Sequence, residues 1–285
     1  MKRILLPTDF SDNASSAISY AVQLFKDIEC KFYFLHAYTP TAIYAGNIAD
    51  SYAALKIFEI EKENINLNFK KTEESIKKEF SNNKHTFTSI SAFNLLVPEM
   101  KELIEENDID LVIMGTKGAT GAKEIFLGSN TMYAIKKIKC PVIAVPSGYK
   151  YQQPKEILFP TDYKVEKSNR YLEFVREICS LHGSKLHFLN AYYHVPLEEN
   201  QKRVKVFLDA FFIDNVHEFH LGEDQDLIDV IETFQINKKI NFLVMIHNKH
   251  SFFENLLFKP IINKMVYHTN VPFLVIPSEE RIARL

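Results

Sequence analysis

No stretch of about eighteen consecutive apolar residues occurs in this 285-residue chain, so no segment reads as a membrane-spanning helix. Neither sign of charge predominates: 34 basic residues stand against 36 acidic ones, a net of −2. That balance excludes the dense positive field on which non-specific nucleic-acid binding rests, though not a small local basic site. Cysteine is scarce. Cys30, Cys140 and Cys179 are odd in number and far apart, which gives neither a disulfide framework nor a CxxC metal knuckle and points to the reducing cytosol. Cys140 is a candidate reactive thiol, but a buried, inert cysteine is the commoner case. The opening apolar run, Ile4-Leu5-Leu6, stops at Pro7-Thr8-Asp9, too soon for the core of a signal peptide; a buried first strand is expected instead. With 46% hydrophobic and 25% charged residues, the chain can bury two sizeable cores.

What is present is a repeat. Lys2-Arg-Ile-Leu-Leu-Pro-Thr-Asp-Phe10 and Lys155-Glu-Ile-Leu-Phe-Pro-Thr-Asp-Tyr163 agree at six of nine positions. Lys31–Tyr38 matches Lys185–Tyr192, and Cys140–Ser147 matches Val271–Ser278. Three matches in the same order imply duplication, with units at 1–147 and 152–285 and a joint at the short polar stretch from Gly148 to Pro154.

Each unit alternates strand and helix. Ala14, Ala17, Ile18, Ala21, Val22 and Phe25 form one apolar stripe at helical spacing after Ser11 or Asp12, both plausible N-caps. A strand near 31–38, a long charged helix near 52–80, a strand near 85–91 and a helix near 96–107 follow. Leu55, Phe58, Ile65, Phe69 and Ile76 mark the inward face of the long helix. Leu111-Val112-Ile113-Met114 is apolar throughout, as suits a strand buried on both faces. A helix near 129–138 leads to a closing strand at 142–145. The second unit follows the same plan with a shorter second helix, about 197–213. Helical crossovers imply parallel pairing, so the fold class is α/β: two tandem doubly wound domains, each a five-stranded parallel sheet flanked by helices. The closing strands near 142–145 and 273–276 are expected to pair or pack at the centre of the chain.

The most informative segment runs from Gly115 to Ser129, from the end of the fourth strand to the start of the fourth helix. Glycines there let the backbone approach a ligand, and the helix N-terminus offers unpaired N–H groups and the positive end of a dipole, a natural phosphate site. Ser129 can add a hydroxyl; Lys117 and Lys123 can add charge or simply be solvated. GxxxxGK[ST] is absent, and the spacing is not that of a dinucleotide fingerprint. The bland alternatives are a tight turn at Gly115 and Gly118, a helix-start glycine at Gly128 and a helix cap at Asp9.

The spacing Gly115-x2-Gly118-x9-Gly128-Ser129, with Pro7-Thr8-Asp9 closing the first strand and Leu35-His36-Ala37 the second, resembles the universal stress protein family in its tandem form. The resemblance covers nearly the whole chain. It implies strand order 3-2-1-4-5 and a ligand at the switch point between strands one and four. It also implies an adenine nucleotide, ATP with or without Mg²⁺, held by Gly115, Gly118, Gly128, Ser129 and the backbone of Asn130. Pro7, Thr8 and Asp9 would lie beside the nucleoside or a phosphate-bound Mg²⁺, and the backbone of Ala37 would meet adenine. It implies an internal pseudo-dimer; a further homodimer and an unidentified protein partner stay open. Neither a membrane nor a nucleic acid is an expected partner.

The second unit lacks the loop. Alignment through the closing strands sets Ile246 against Gly115, Lys249 against Gly118, Lys259 against Gly128 and Pro260 against Ser129. Phe252, Phe253, Leu257 and Phe258 are expected to fill the vacated pocket or, failing that, to form a partner surface. Eight of the ten histidines lie here. His217 and His220, an odd number apart on a strand, point to opposite faces; His247-x2-His250 could chelate, yet scattered polar histidines are the default and no metal site is expected. No catalytic set can be assigned, and His36 reads as a hydrogen-bonding core residue. The function expected is therefore a cytosolic stress-response binding module loaded with ATP in its first half. Slow ATP hydrolysis and a purely structural pseudo-dimer are the alternatives.

Overall fold

The computed structural model describes residues 1–39, 51–116, 128–190, 196–222, 227–247 and 270–278. The first half runs β1 (Lys2–Pro7), α1 (Asp12–Leu24), β2 (Cys30–Ala37), α2 (Ser51–Glu79), β3 (His85–Ala92), α3 (Leu96–Glu106), β4 (Leu111–Gly115), α4 (Ser129–Lys137) and β5 (Val142–Val145). The second runs β6 (Glu156–Pro160), α5 (Leu172–His182), β7 (Lys185–Asn190), α6 (Glu199–Phe211), β8 (His217–Leu221), α7 (Leu227–Lys238), β9 (Phe242–His247) and β10 (Phe273–Pro277).

Strand order is β3-β2-β1-β4-β5-β10-β9-β6-β7-β8, so each half has the order 3-2-1-4-5 and all pairing within a half is parallel. The closing strands do more than pack. Antiparallel pairing of Ala144 with Phe273, Ile143 with Leu274 and Val142 with Val275 joins the two five-stranded sheets, expected as separate, into one continuous mixed sheet of ten strands. Ile143 and Leu274 are equivalent positions of the repeat, so the junction carries a local two-fold axis, the self-complementary arrangement of an isologous dimer interface.

Helices cover both faces. Ile65, Phe69 and Ile76 of α2, the apolar stripe of α1, Val175 and Ile178 of α5 and Val204 and Leu208 of α6 bury on one side. Met100 and Leu103 of α3, Ala134 and Ile135 of α4 and Val230 and Ile231 of α7 bury on the other. Leu111 and Ile113 belong to the first layer, Val112 and Met114 to the second, which is why β4 is apolar at every position. Both layers run across the junction without a break. The joint is packed as well: Tyr149 and Tyr151 stack edgewise on the buried Tyr20, with ring centroids 6.0 and 5.5 Å away. Lys2 Nζ reaches Glu177 Oε2 at 2.6 Å, and the Tyr171 hydroxyl donates to the Lys139 carbonyl at 2.6 Å, both bridging the halves.

Helix starts follow local chemistry. The Ser11 hydroxyl caps α1, accepting from Ala14 N at 3.3 Å, and Glu198 with Gln201 forms a reciprocal capping box on α6. At its other end α5 stops at Gly183, which turns the chain with φ +58°.

His182, in the last turn of α5, is 2% exposed. Burial, with Lys155 adding to it, pushes its imidazole down to about 4. The unfolded chain takes up that proton first, near pH 6.5, so the contribution of neutral His182 is intact above pH 6.5 and drains away as pH falls towards 4. The loss is on the order of 3 kcal/mol. Urea midpoints measured from pH 7 to pH 4 should fall steeply in the parent, and His182→Gln should flatten that slope.

Candidate functional site

The turn after β1 organises one wall of a cleft. Thr8 N donates to Leu35 O at 2.8 Å, tying the end of β1 to β2, and Thr8 Oγ1 accepts from Phe10 N at 3.0 Å. Asp9 Oδ1 accepts from Ser11 N at 3.1 Å, so Asp9 orients the residue that caps α1 and is not itself the cap. Phe10 pays for this geometry with φ +62°, a strained value for a bulky side chain that costs roughly 1–3 kcal/mol. The second half repeats the turn: Thr161 Oγ1 accepts from Tyr163 N at 3.0 Å, Asp162 Oδ1 from Lys164 N at 3.1 Å, and Tyr163 has φ +55°. A device retained in both halves, strain included, belongs to the fold.

His36 is hydrogen-bonded, as the sequence suggests, but it is half-buried and lines the cleft and is not a core residue. Its Nδ1–H donates to the Thr8 carbonyl at 2.8 Å and its ring stacks on Phe10 at 4.7 Å.

The opposite wall is the start of α4. Gly128 N donates to Thr116 O, so the two ends of the segment 117–127 are clamped together. Gly128 is the N-cap residue; it has no side chain to give, and no acid stands in the first turn. Among the described residues no side chain caps the first-turn N–H groups of α4, which stand at the positive end of the helix dipole. Thr131 Oγ1, buried, donates to the Gly115 carbonyl at 2.7 Å and locks the helix to the end of β4.

Between these walls lies a cleft of about 360 Å³ at the carboxyl ends of the strands. Pro7, Thr8, Asp9, Ala37, Gly115, Gly128, Ser129 and Asn130 all line it, joined by Asn13, His36 and Thr131. Gly118 lies outside the described residues. Asn13 was not legible as a site residue: on the sequence it is one polar residue in the first turn of α1, and only the fold lays it over Gly115. A Cβ on Gly115 would stand 2.1 Å from Asn13 Nδ2 and 2.6 Å from Asn13 Cγ. Any side chain at this position would therefore require Asn13 to move, before any ligand is considered. Gly128, at φ −55°, is not demanded by backbone conformation.

A larger groove, about 620 Å³, opens at the other end of the sheet between the halves. Its charges alternate in sign, Lys2, Lys139 and Arg170 against Asp108, Asp110 and Glu177, and it is a solvated ionic surface rather than a site for one sign of charge. Cys140 borders it, but burial raises its thiol far above the usual range and its Sγ–H turns to the Ile109 carbonyl at 3.4 Å; Cys30 and Cys179 are pushed up to about 12. No described cysteine has thiolate character near neutral pH.

In the second half, strand register sets Ile246 at the position of Gly115, as the sequence alignment expects. The next residue, His247, is buried, and its Nδ1–H donates at 3.1 Å to the carbonyl of Ile135 in the last turn of α4, where helical acceptors lack intrahelical partners. It caps a helix of the other half. Its proposed chelating companion, His250, lies outside the described residues, as do Lys249, Phe252, Phe253, Leu257, Phe258, Lys259 and Pro260.

A family model described as "Universal stress protein family" matches residues 1–146, just over half of the chain. The chain belongs to the universal stress protein family. A universal stress protein of Methanocaldococcus jannaschii is 33% identical over 153 residues, which cover 50% of this chain and 94% of that one. Among solved structures, a universal stress protein from Archaeoglobus fulgidus aligns over 97% of this chain and 96% of its own, with a TM-score of 0.64 and 16% identity. One from Pseudomonas aeruginosa aligns over 99% and 95%, with a TM-score of 0.57 and 14% identity. At such identities these two speak for the fold, and they do so over both halves. No described helix of this universal stress protein is long and apolar enough to cross a membrane.

Two substitutions test the packing. Gly115→Ala should lower stability by about 1–3 kcal/mol with no nucleotide present, because Asn13 must move; a double-mutant cycle with Asn13→Ala in urea unfolding should recover much of that loss. His247→Leu should cost about 1–3 kcal/mol by orphaning the Ile135 carbonyl, read from the same unfolding curves.

Proposed function

We propose that residues 1–147 form a nucleotide-binding domain that takes one adenine nucleotide, ATP with or without Mg²⁺, and that residues 152–285 form a second domain without that capacity. The observation that carries the reading is the convergence, on one cleft, of the α4 N-terminus at Gly128 and Ser129, the end of β4 at Gly115 and the Pro7-Thr8-Asp9 turn. The α4 N–H groups with Ser129 and Asn130 suit phosphate oxygens. Asp9 suits a ribose hydroxyl or a phosphate-bound Mg²⁺, and the β2 end at Ala37 suits a base edge read by backbone groups. In the second half the position of Gly115 carries the branched side chain of Ile246, which argues against a matching site there. His36 gives its Nδ1–H to the Thr8 carbonyl, and no catalytic set can be assigned among the described residues; the reading is a regulatory binding module of the cytosol, whose surface or assembly answers to nucleotide occupancy.

Denaturing freshly purified protein and identifying the released ligand tests the reading directly: an adenine nucleotide at up to one per chain is expected. Calorimetric titration of nucleotide-free protein with ATP should give a single site. Asp9→Ala should weaken that site by at least about tenfold, or 1.4 kcal/mol, and Gly118→Val should abolish it with the fold intact. Two equivalent sites, or none, would overturn the proposal.

A further inference from the structure

Two histidines of the second half, His187 and His220, meet one another. His217 and His220 do point to opposite faces of β8, as their spacing requires: His217 Nε2 meets Asp209 Oδ1 at 3.0 Å on one side. On the other side His220 meets a partner that the spacing within β8 could not disclose. Register pairs His187 of β7 with Glu218 of β8 and sets His220 beside Leu189, so His187, Glu218 and His220 share one face of the sheet under α7. His187 Nδ1 and His220 Nε2 lie 3.0 Å apart, and Glu218 Oε2 stands 3.5 Å from His220 Nε2 and 3.9 Å from His187 Nδ1. Among the described residues this is the group whose donor atoms converge as metal ligands would.

We infer that His187, Glu218 and His220 form a site for a divalent transition metal of the zinc class. Tetrahedral ligands at ordinary zinc bond lengths are about 3.3 Å from one another, and the three separations here bracket that value. The supporting groups fit too. Glu156 Oε2 accepts from His187 Nε2–H at 2.7 Å, which leaves the Nδ1 lone pair facing the other two ligands. This carboxylate–histidine–metal relay orients the ligand ring and raises its basicity. The His187 side chain is 2% exposed and that of Glu218 44%, so the site has a buried floor and an open mouth. Phe234 of α7 lies edge-on to both imidazoles, 5.7 and 4.8 Å from the ring centres, and walls one side. Lys185 opposes a cation by charge, yet its hydrogen-bonded contact at 2.6 Å is with Glu218 Oε1, leaving Oε2 to the rings. His220 would hold the metal through Nε2 in its Nδ1–H tautomer, and the fourth position would fall to water.

The duplication supplies an internal control. Arg3, Tyr33, Thr88 and Ile90 occupy the places of Glu156, His187, Glu218 and His220 in the first half. None of the four is a ligand for zinc at neutral pH, so the set is particular to the second half. It lies on β7 and β8, the outermost strands of the second half, with His187 at mid-strand and His220 the fourth of the five residues of β8, whereas the nucleotide cleft belongs to the first half; the site does not depend on that reading.

Metal-stripped full-length protein is titrated with Zn²⁺ against a chromophoric chelator, and with Co²⁺ while visible d–d absorption is followed. One equivalent of each is expected, the cobalt spectrum having the intensity of a four-coordinate site. His220→Ala and Glu218→Gln, both partly exposed positions, should fold by circular dichroism and lose that equivalent. Glu156→Gln should weaken it by about 10- to 100-fold, and Asp9→Ala should leave it unchanged. No stoichiometric binding by the parent protein, or undiminished binding by folded His220→Ala, overturns the inference.

Discussion

An open parallel sheet leaves a row of backbone N–H and C=O groups along its outer strand, and those groups must be paired, covered or solvated. In this chain β5 and β10 are such strands. Both are apolar on both faces, and they satisfy one another across three residue pairs. Much of the molecule depends on that seam. It makes the two apolar layers continuous, brings α1 and α5 to one side of the junction, and puts β4 and β9 one strand away from the centre. It lets His247 reach the last turn of α4, Tyr171 reach Lys139 and Lys2 reach Glu177. Since equivalent residues Ile143 and Leu274 face each other, the seam has the geometry of a symmetric dimer built into one chain.

The two halves share a frame and diverge in chemistry. Both retain the Pro-Thr-Asp turn with its threonine and aspartate hydrogen bonds and a strained aromatic residue, because that turn fastens the end of the first strand to the second. They part at the end of the fourth strand. Gly115 leaves room for Asn13 and borders a cleft; Ile246 fills the same position, and the residue after it serves as a helix cap. They part again on the outer strands, where the first half has Arg3, Tyr33, Thr88 and Ile90 and the second half has Glu156, His187, Glu218 and His220 at the equivalent positions. A duplicated scaffold joined by a common seam can vary both places in one half and keep the same layers in each.

Periodicity carried most of the secondary structure. The α1 stripe, the inward face of α2 and the doubly buried β4 were written in the spacing of apolar residues, since each contact there lies within one element. The cleft was legible for a related reason: Pro7-Thr8-Asp9 and Gly115 to Ser129 are contiguous segments, and strand order alone brings their ends together. Asn13 was not legible, because its partner is more than a hundred residues away and reaches it only through packing.

The histidine group shows the same limit most plainly. The sequence by itself determined the duplication, the α/β alternation, the faces of each strand and the loss of the glycine-bearing segment in the second half, all properties of local pattern and comparison along the chain. Reading β8 in isolation correctly sent His217 and His220 to opposite faces, and so hid a site whose third member sits on the neighbouring strand. Tertiary structure decided that His187 stands opposite Glu218, that Asn13 covers Gly115 and that two sheets become one. Those outcomes turn on strand register and edge pairing, which are set by the burial of whole layers at once and by backbone groups that are identical in every residue.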